Sequence, residues 1–143
     1  MNGLRVVRVI SCGRNHLRRI PVPDWDAADV QLVLRGVLPN PFHEPELRDL
    51  SGLDAPVQAF IVKQGEWSGL RDDVMEQVRT LLDAGRPVVT VGVKCSGGHD
   101  RSVGAAELLA AEFRTWDRVD SFTRHPHLYC RTPWVPQDAR RGR

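Results

Sequence analysis

The chain has 143 residues, 41% of them hydrophobic, and a formal net charge of +2 at pH 7. A chain of this length suits one compact domain that buries roughly two thirds of its unfolded surface. No apolar run is long enough to cross a bilayer, and the N-terminal residues lead into a short strand instead of a secretory signal. We therefore expect a cytoplasmic protein with no membrane partner. The odd count of three cysteines argues against a disulfide framework and predicts reduced thiols.

The N-terminal half alternates short strands with helices. Residues 5–10 and 30–34 are short and β-branched, which predicts two strands, and residues 11–26 form a loop long enough to line a pocket. Asp54 is placed to cap a first helix, and a second helix ends before Gly85 and Pro87. Both helices carry an apolar stripe that we interpret as core. The stripes contain Val57, Phe60 and Ile61 in the first helix and Trp67, Leu70, Val74, Val78, Leu81 and Leu82 in the second.

The C-terminal half predicts a strand, a turn, a helix and a last strand. Residues 88–93 are an apolar β-branched run, residues 103–113 carry apolar side chains at helical spacing, and residues 119–124 form the final strand. Strands that alternate with helices indicate an α/β fold, with a small, mostly parallel sheet flanked by helices and a phosphate-binding loop at a strand-to-helix turn. Such sheets place ligands at the carboxyl ends of their strands.

The turn before the predicted helix combines the features of an anion site. The turn leads into the N-terminus of the predicted helix, where backbone amides and the positive end of the macrodipole favour a phosphate. Its two glycines let the backbone approach that phosphate closely. Lys94 and Arg101 add positive charge, Arg101 as a fork that grips two phosphate oxygens. The predicted phosphate-binding residues are Ser96, Gly97, Gly98, His99, Arg101 and Ser102. Neither G-x-x-x-x-G-K-S/T nor G-x-G-x-x-G occurs in the chain, which disfavours an ATP-hydrolysing motor.

The same turn supports a catalytic alternative. Cys95 and Arg101 form C-x-x-G-x-x-R-S, which resembles the phosphate-binding loop of cysteine-dependent protein tyrosine phosphatases. A cysteine among helix N-terminal amides and cations is expected to attack phosphorus as a thiolate. Lys94 stands where that signature usually has histidine, and no aspartate can be assigned as the general acid. Asp72 and Asp73 are candidates, but a place in the first turn of a helix is the simpler explanation for both. Whether the chain is an enzyme therefore stays open, and binding without turnover is the favoured interpretation.

Two longer segments carry a family resemblance. Residues 38–57, which include L-P-N-P and S-G-L-D, and residues 92–103, G-V-K-C-S-G-G-H-D-R-S-V, resemble the C-terminal domain of the RNase adapter protein RapZ. The resemblance covers most of the chain. It implies a ligand-sensing adapter domain that binds an amino-sugar phosphate and small regulatory RNAs, with a homodimer as the default assembly. The family's histidine before the arginine is replaced here by Asp100.

The resemblance also implies further pocket residues and a domain organisation. The candidate pocket residues beyond the turn are Arg35, Asn40, His43, Arg48 and His125. Asn40 lies between prolines, where turn formation explains it equally well. Full-length family members carry an N-terminal nucleotide-binding domain, so we expect a stand-alone C-terminal domain at residues 1–130 and a basic tail at 131–143. The predicted ligand is a phosphorylated small molecule, either a sugar phosphate or a nucleotide.

The basic tail is the predicted RNA contact. Its arginines are Arg131, Arg140, Arg141 and Arg143. Arginines in an extended tail can neutralise RNA phosphates. A solubilising terminus explains them equally well, so both interpretations stay open.

Histidines and cysteines near both ends allow a zinc site to be drawn. The residues concerned are Cys12, His16, His125, His127 and Cys130. Their spacing matches no common zinc pattern, and histidines at a strand end more often contact phosphate or solvent. We therefore predict neither a metal nor a cofactor.

Overall fold

The computed structural model describes residues 3–130, which contain four strands, four α-helices and two short 3₁₀ turns. The strands are β1 (Arg5–Gly13), β2 (Val30–Val33), β3 (Val88–Cys95) and β4 (Val119–Arg124). The helices are α1 (Pro23–Asp26), α2 (Ala55–Lys63), α3 (Trp67–Asp83) and α4 (Arg101–Phe113). The 3₁₀ turns are Pro41–His43 and Pro45–Leu47. The predicted strand at residues 119–124 is therefore confirmed at both ends.

The four strands form one sheet in the order β2-β3-β1-β4, and every pair is parallel. This architecture confirms the predicted α/β class. The central pair runs in register from Val6 opposite Val88 to Gly13 opposite Cys95. Because β1 and β3 are parallel neighbours, the segments that leave their carboxyl ends start side by side.

The two faces of the sheet are covered unequally. Helices α3 and α4 pack against one face, with α2 lying on both of them, whereas the four-residue helix α1 covers part of the other face. Alternate strand residues point to opposite faces, which separates two apolar clusters. The larger cluster includes Val7, Val9, Val89, Val91, Val93, Leu109 and Phe113, all completely buried. The smaller cluster contains Ile10, Cys12, Val22 and Trp25.

The central strands are longer than the sequence pattern predicts. β1 continues past residue 10 to Gly13, and β3 continues past residue 93 to Cys95. Ser11 and Cys12 carry too little apolar surface to extend a hydrophobic pattern, yet the parallel pairing with β3 holds them in the sheet. Part of the segment predicted as a loop is therefore strand.

Three local predictions are corrected by the structure. The segment 11–26 also contains α1, and its signals are Pro23 at the first helical position followed by Asp24. Asp54 occupies the N-cap of α2, but its Oδ2 accepts a hydrogen bond from the Ser51 amide at 2.7 Å instead of capping the helix. Asp72 and its neighbour lie inside α3, which begins at Trp67, and not in its first turn.

All three cysteines are free thiols, as the odd count predicts. Across residues 3–130, none of the helices combines the length and the apolar character that crossing a membrane requires. The predicted RNA-contacting arginines Arg131, Arg140, Arg141 and Arg143 lie outside the described residues.

Candidate functional site

The loop between β3 and α4, residues 96–100, packs its backbone directly on the end of β1. A Cβ atom added to Gly13 would lie 2.5 Å from the carbonyl carbon of Gly97 and 2.5 Å from the nitrogen of Gly98. Gly98 has a φ of +71°, in the left-handed region that favours glycine. The loop therefore requires glycine at both positions of this contact.

Backbone hydrogen bonds extend the contact on both sides of the loop. The amides of Arg14 and Asn15 donate to the carbonyl oxygens of Cys95 and Ser96 at 2.8 and 2.9 Å. On the other side, the amide of Gly52 donates to the carbonyl oxygen of His99 at 3.0 Å. The loop is thus held between the segment that follows β1 and the segment that precedes α2.

A polar cavity of about 210 Å³ opens at the carboxyl end of β3 and the amino end of α4. Its lining residues are Asn15, Asn40, Phe42, Cys95, Ser96, Gly97, His99, Asp100 and Arg101. Four of the six residues predicted to bind phosphate are therefore brought to one cavity. The other two are placed elsewhere, because Gly98 faces Gly13 and Ser102 is completely buried behind the loop.

Arg101 is the buried cation of this cavity, with only 6% of its surface exposed. Its Nη1 donates to the carbonyl oxygen of Leu38 at 3.0 Å, and its Nη2 donates to Ser96 Oγ at 3.3 Å. Both acceptors are uncharged, and no carboxylate within residues 3–130 forms an ion pair with Arg101. A bound anion would stabilise the charge of this buried guanidinium, because it would accept hydrogen bonds from the N–H groups that remain.

Helix α4 adds its N-terminal dipole to the same cavity. The amide of Gly104 donates to the carbonyl oxygen of Asp100 at 2.9 Å, so the amides of residues 101–103 precede the first intrahelical bond. The Asp100 side chain also lines the cavity, and its Oδ1 lies 3.9 Å from His99 Nε2. The cavity at the amino end of α4 therefore contains both a cation, Arg101, and a carboxylate, Asp100.

Cys95 lies at the bottom of the cavity, 3% exposed. Its thiol donates to Ser102 Oγ at 3.0 Å, and its sulfur accepts a hydrogen bond from the Gly98 amide at 3.3 Å. Lys94 does not contribute to this environment, because its Nζ lies over the Trp25 ring on the opposite face, 4.6 Å from the ring centroid. The expectation that Lys94 adds charge to the anion site is therefore wrong.

The 3₁₀ turn at Pro41–His43 supplies the outer wall of the cavity. Asn40 lines the cavity, and its Oδ1 accepts a hydrogen bond from the Phe42 amide at 3.1 Å, which is the turn-forming role weighed for it. Arg48 donates from Nε to the Phe42 carbonyl oxygen at 3.0 Å and lies over the Phe42 ring at 5.6 Å. Arg48 thus holds Phe42 in place, while Arg35 and His43 are exposed and do not line the cavity.

His125 is also outside the cavity, in a hydrogen-bonded chain that joins β1, β4 and α4. Its Nδ1 lies 2.6 Å from Ser11 Oγ, and its Nε2 lies 2.7 Å from Glu107 Oε2. Thr123 Oγ1 donates to the same Glu107 oxygen at 2.6 Å. Burial raises the pKa of Glu107, but the hydrogen bonds from Thr123 and His125 and the charges of His125 and Arg114 outweigh burial and leave that pKa below its ordinary value.

His127 was weighed from its place in the sequence only for a zinc site, and it was not predicted to line the pocket. It is completely buried, with Nδ1 accepting from the Gly13 amide at 2.9 Å and Nε2 donating to the Ile20 carbonyl oxygen at 2.8 Å. Its partners are backbone groups, which have no side-chain signature in a sequence. Within residues 3–130, no group of three or more His, Cys, Asp or Glu side chains is placed to hold one metal ion.

The parallel sheet places the chain in a general class, the α/β domains, and the cavity lies at the edge of the sheet where such domains usually bind ligands. Within that class, the chain belongs to the RapZ C-terminal domain family, whose sequence model matches residues 6–128. The resemblance carried by the two sequence segments is thereby confirmed.

Individual relatives agree with this assignment. A protein of Delftia acidovorans is 39% identical over 106 residues, which is 71% of this chain and 35% of the relative. Proteins of Janthinobacterium sp. and Alkalilimnicola ehrlichii are 42% and 46% identical over 64% and 54% of this chain, and over 33% and 28% of their own length. Each of the three is named a nucleotide-binding protein. The chain thus spans about a third of the length of these curated relatives.

Proposed function

We propose that this domain is a ligand-sensing adapter that binds a phosphorylated small molecule, a sugar phosphate or a nucleotide, in the cavity at Arg101. One observation carries the proposal: a guanidinium that is 6% exposed lines the cavity, and its hydrogen-bond acceptors among residues 3–130 are a carbonyl oxygen and a hydroxyl, both uncharged. A phosphate would accept the remaining N–H groups of the fork, beside the Asp100 carboxylate that lines the same cavity.

The surroundings of Arg101 support a phosphate over a carboxylate or a halide. The cavity lies at the amino end of α4, where the first amides of the helix precede the first intrahelical bond, and several donors around one anion suit a tetrahedral oxyanion. A cavity of about 210 Å³ is small for a ligand site and accommodates the phosphate with only a small part of its organic group. The name nucleotide-binding protein, given to whole relatives of which the match covers about a third, favours a nucleotide as one ligand class.

The proposal is tested by titrating the purified protein with sugar phosphates and nucleotides, with binding followed by phosphorus NMR. We expect selective broadening or a shift of one ligand resonance, and a loss of affinity of about a hundredfold in Arg101→Met, because a charged hydrogen-bonding partner is removed. Arg124→Met is the matched control, since Arg124 is exposed and its Nη1 already donates to Asp24 at 3.0 Å. Equal affinity in both variants would refute the proposal.

A second candidate function, cysteine-dependent phosphatase activity, is favoured by one observation. The sulfur of Cys95 accepts the Gly98 amide and bonds to Ser102 Oγ, and Arg101 lines the same cavity. A thiolate there would attack phosphorus and displace the alcohol, and water would then release inorganic phosphate. Incubation with an aryl phosphate decides this candidate, since inorganic phosphate that appears with the wild type and disappears in Cys95→Ser establishes turnover.

RNA contact is a separate part of the proposal. Its support is positive charge, from the tail arginines outside the described residues and from Arg14, Arg18 and Arg19, which are exposed on the segment that follows β1. Binding of a short labelled RNA, measured by fluorescence anisotropy, should weaken steeply as salt rises from about 50 to about 200 mM. Replacement of the three exposed arginines by glutamine should flatten that salt dependence, and an unchanged slope would assign the contact to the tail alone.

The predicted assembly and location complete the proposal. We keep the division at residue 130, the cytoplasmic location and a homo-oligomer as predictions, supported by the free thiols and by the family resemblance. Light scattering coupled to size-exclusion chromatography measures the subunit count directly, and a monomer over the micromolar range would contradict the homo-oligomer.

A further inference from the structure

His127 joins three segments that meet at the carboxyl edge of the sheet. Its Nδ1 accepts from the Gly13 amide, so its Nε2 carries the hydrogen that it donates to Ile20, and the ring is the neutral tautomer. The adjacent carbonyl oxygen of Leu128 accepts a hydrogen bond from His99 Nδ1 at 2.8 Å. Residues 127 and 128 therefore bind the end of β1, the segment after it and the β3–α4 loop.

The position of the loop depends on this contact. Gly98 packs so closely that an added Cβ would lie 2.7 Å from the Gly13 nitrogen and 2.8 Å from His127 Cβ. The Gly13 amide that His127 binds is thus part of the surface on which the loop rests. If Gly13 moves, the loop that carries Ser96 and Gly97 into the cavity moves with it.

Protonation of His127 would break this arrangement. A proton on Nδ1 replaces the acceptor of the Gly13 amide by a second donor and places a charge in a completely buried position. The neighbouring ionisable groups do not offset that charge. His16 stacks edge-on at 5.6 Å, Arg19 and Cys130 lie in the same crevice, and His99 belongs to the loop itself.

We infer that His127 is a positioning residue for the cavity, and that it holds the β3–α4 loop in its anion-binding form through the hydrogen bond that its Nδ1 accepts from the Gly13 amide. The inference rests on the proposed function, because it concerns the position of the loop at that same anion site. Anion affinity should consequently fall when this acceptor is removed and be kept when another acceptor replaces it.

Sulfate is the suitable probe, because it is a tetrahedral dianion without an organic group. Calorimetric titration near neutral pH compares the wild type with His127→Asn and His127→Leu. Asparagine places an oxygen where Nδ1 stood and accepts from the Gly13 amide, whereas leucine removes the acceptor. His43→Asn removes an exposed histidine outside the cavity and is the matched control.

The wild type, His43→Asn and His127→Asn should bind sulfate with similar affinity, because each keeps an acceptor for the Gly13 amide. His127→Leu should bind about tenfold more weakly than the wild type. The same loss in His127→Asn as in His127→Leu, or no loss in either variant, overturns the inference.

A second readout separates this inference from the proposed function. The amide resonances of Gly13 and Gly98 in nitrogen-proton correlation spectra should move strongly in His127→Leu and little in His127→Asn. If the wild type binds no sulfate, the proposed function fails, and these resonances alone decide whether His127 holds the loop. Resonances that move equally in both variants overturn the inference whatever the sulfate titration shows.

Discussion

The two sides of the β3–α4 loop differ in how they are packed. On the closed side, Gly98 meets Gly13 and His127 at distances that leave no room for a Cβ atom. On the open side, a Cβ atom added to Gly97 would have nothing within 4 Å. The contrast teaches that the loop is positioned from one side by backbone contacts, so that its other side can present the buried charge of Arg101 to a ligand.

The two regions also differ in the hydrogen-bond partners of their arginines. Arg8 and Arg124, on the α1 face, share the Asp24 carboxylate at 2.9 and 3.0 Å. The acceptors of Arg101 among residues 3–130 are the Leu38 carbonyl oxygen and Ser96 Oγ, both uncharged.

The largest effect is expected in the rates of thiol labelling. The comparison is between Cys12, which precedes Gly13 of the closed side, and the less buried Cys130. Burial raises the pKa of the Cys12 thiol to about 12, although the Lys94 charge lowers it. Cys130 is only half-buried. We expect iodoacetamide to modify Cys130 about a thousandfold faster than Cys12 at neutral pH, because the thiolate is the reactive species. Mass spectrometry of the digested protein measures both rates, and labelling in urea should equalise them.

The next largest effect is expected for Gly13→Ala. Its Cβ would meet the Gly97 backbone at 2.5 Å, and a backbone atom cannot move aside cheaply. The free energy of unfolding should fall by about 3 kcal/mol, measured by urea denaturation. Unchanged stability would mean that the closed side is not tightly packed.

Acid should weaken the hydrogen-bonded chain that holds the end of β4. The pKa of Glu107 in the folded state lies below its ordinary value of 4.5, so its carboxylate stabilises the fold above that pH and the contribution is lost as the pH falls further. Glu107→Gln should unfold with about 1 kcal/mol less free energy at pH 7 and with a flatter pH dependence below the ordinary value. Parallel pH profiles for both proteins would contradict the role of Glu107.

The smallest effect on stability is expected on the open side. Gly97→Ala adds a methyl group to open space, so its free energy of unfolding should stay within about 0.5 kcal/mol of the wild type. The same methyl group enters the cavity and should weaken sulfate binding. Comparison with Gly13→Ala therefore separates the two sides, and a large loss of stability in Gly97→Ala would remove the distinction.

Much of the fold follows from local patterns in the sequence. Apolar runs and helical stripes predicted every long element, including α3 and β4, because burial of a periodic apolar face determines which elements pack. The short helix α1 and the ends of β1 and β3 were missed. These segments are polar or small, and the strand ends are stabilised by pairing with a neighbouring strand instead of by their own pattern.

The candidate site was predictable to a similar extent. The glycines, Cys95 and Arg101 of the loop form a local motif, and four of its predicted anion-binding residues line the cavity. His125 was also singled out, but it lies in a chain with Ser11 and Glu107. The sequence does not indicate in which direction the side chain of a histidine at a strand end points.

The sequence by itself determined the element types, the parallel α/β class and the identity of the loop, because these depend on residues close together in the chain. Only the tertiary structure decided that His127 binds the Gly13 amide, a contact between residues 114 positions apart. Strand order and register bring these residues together, and both result from the packing of the whole sheet. For the same reason, the closed side of the loop became visible only in the folded chain.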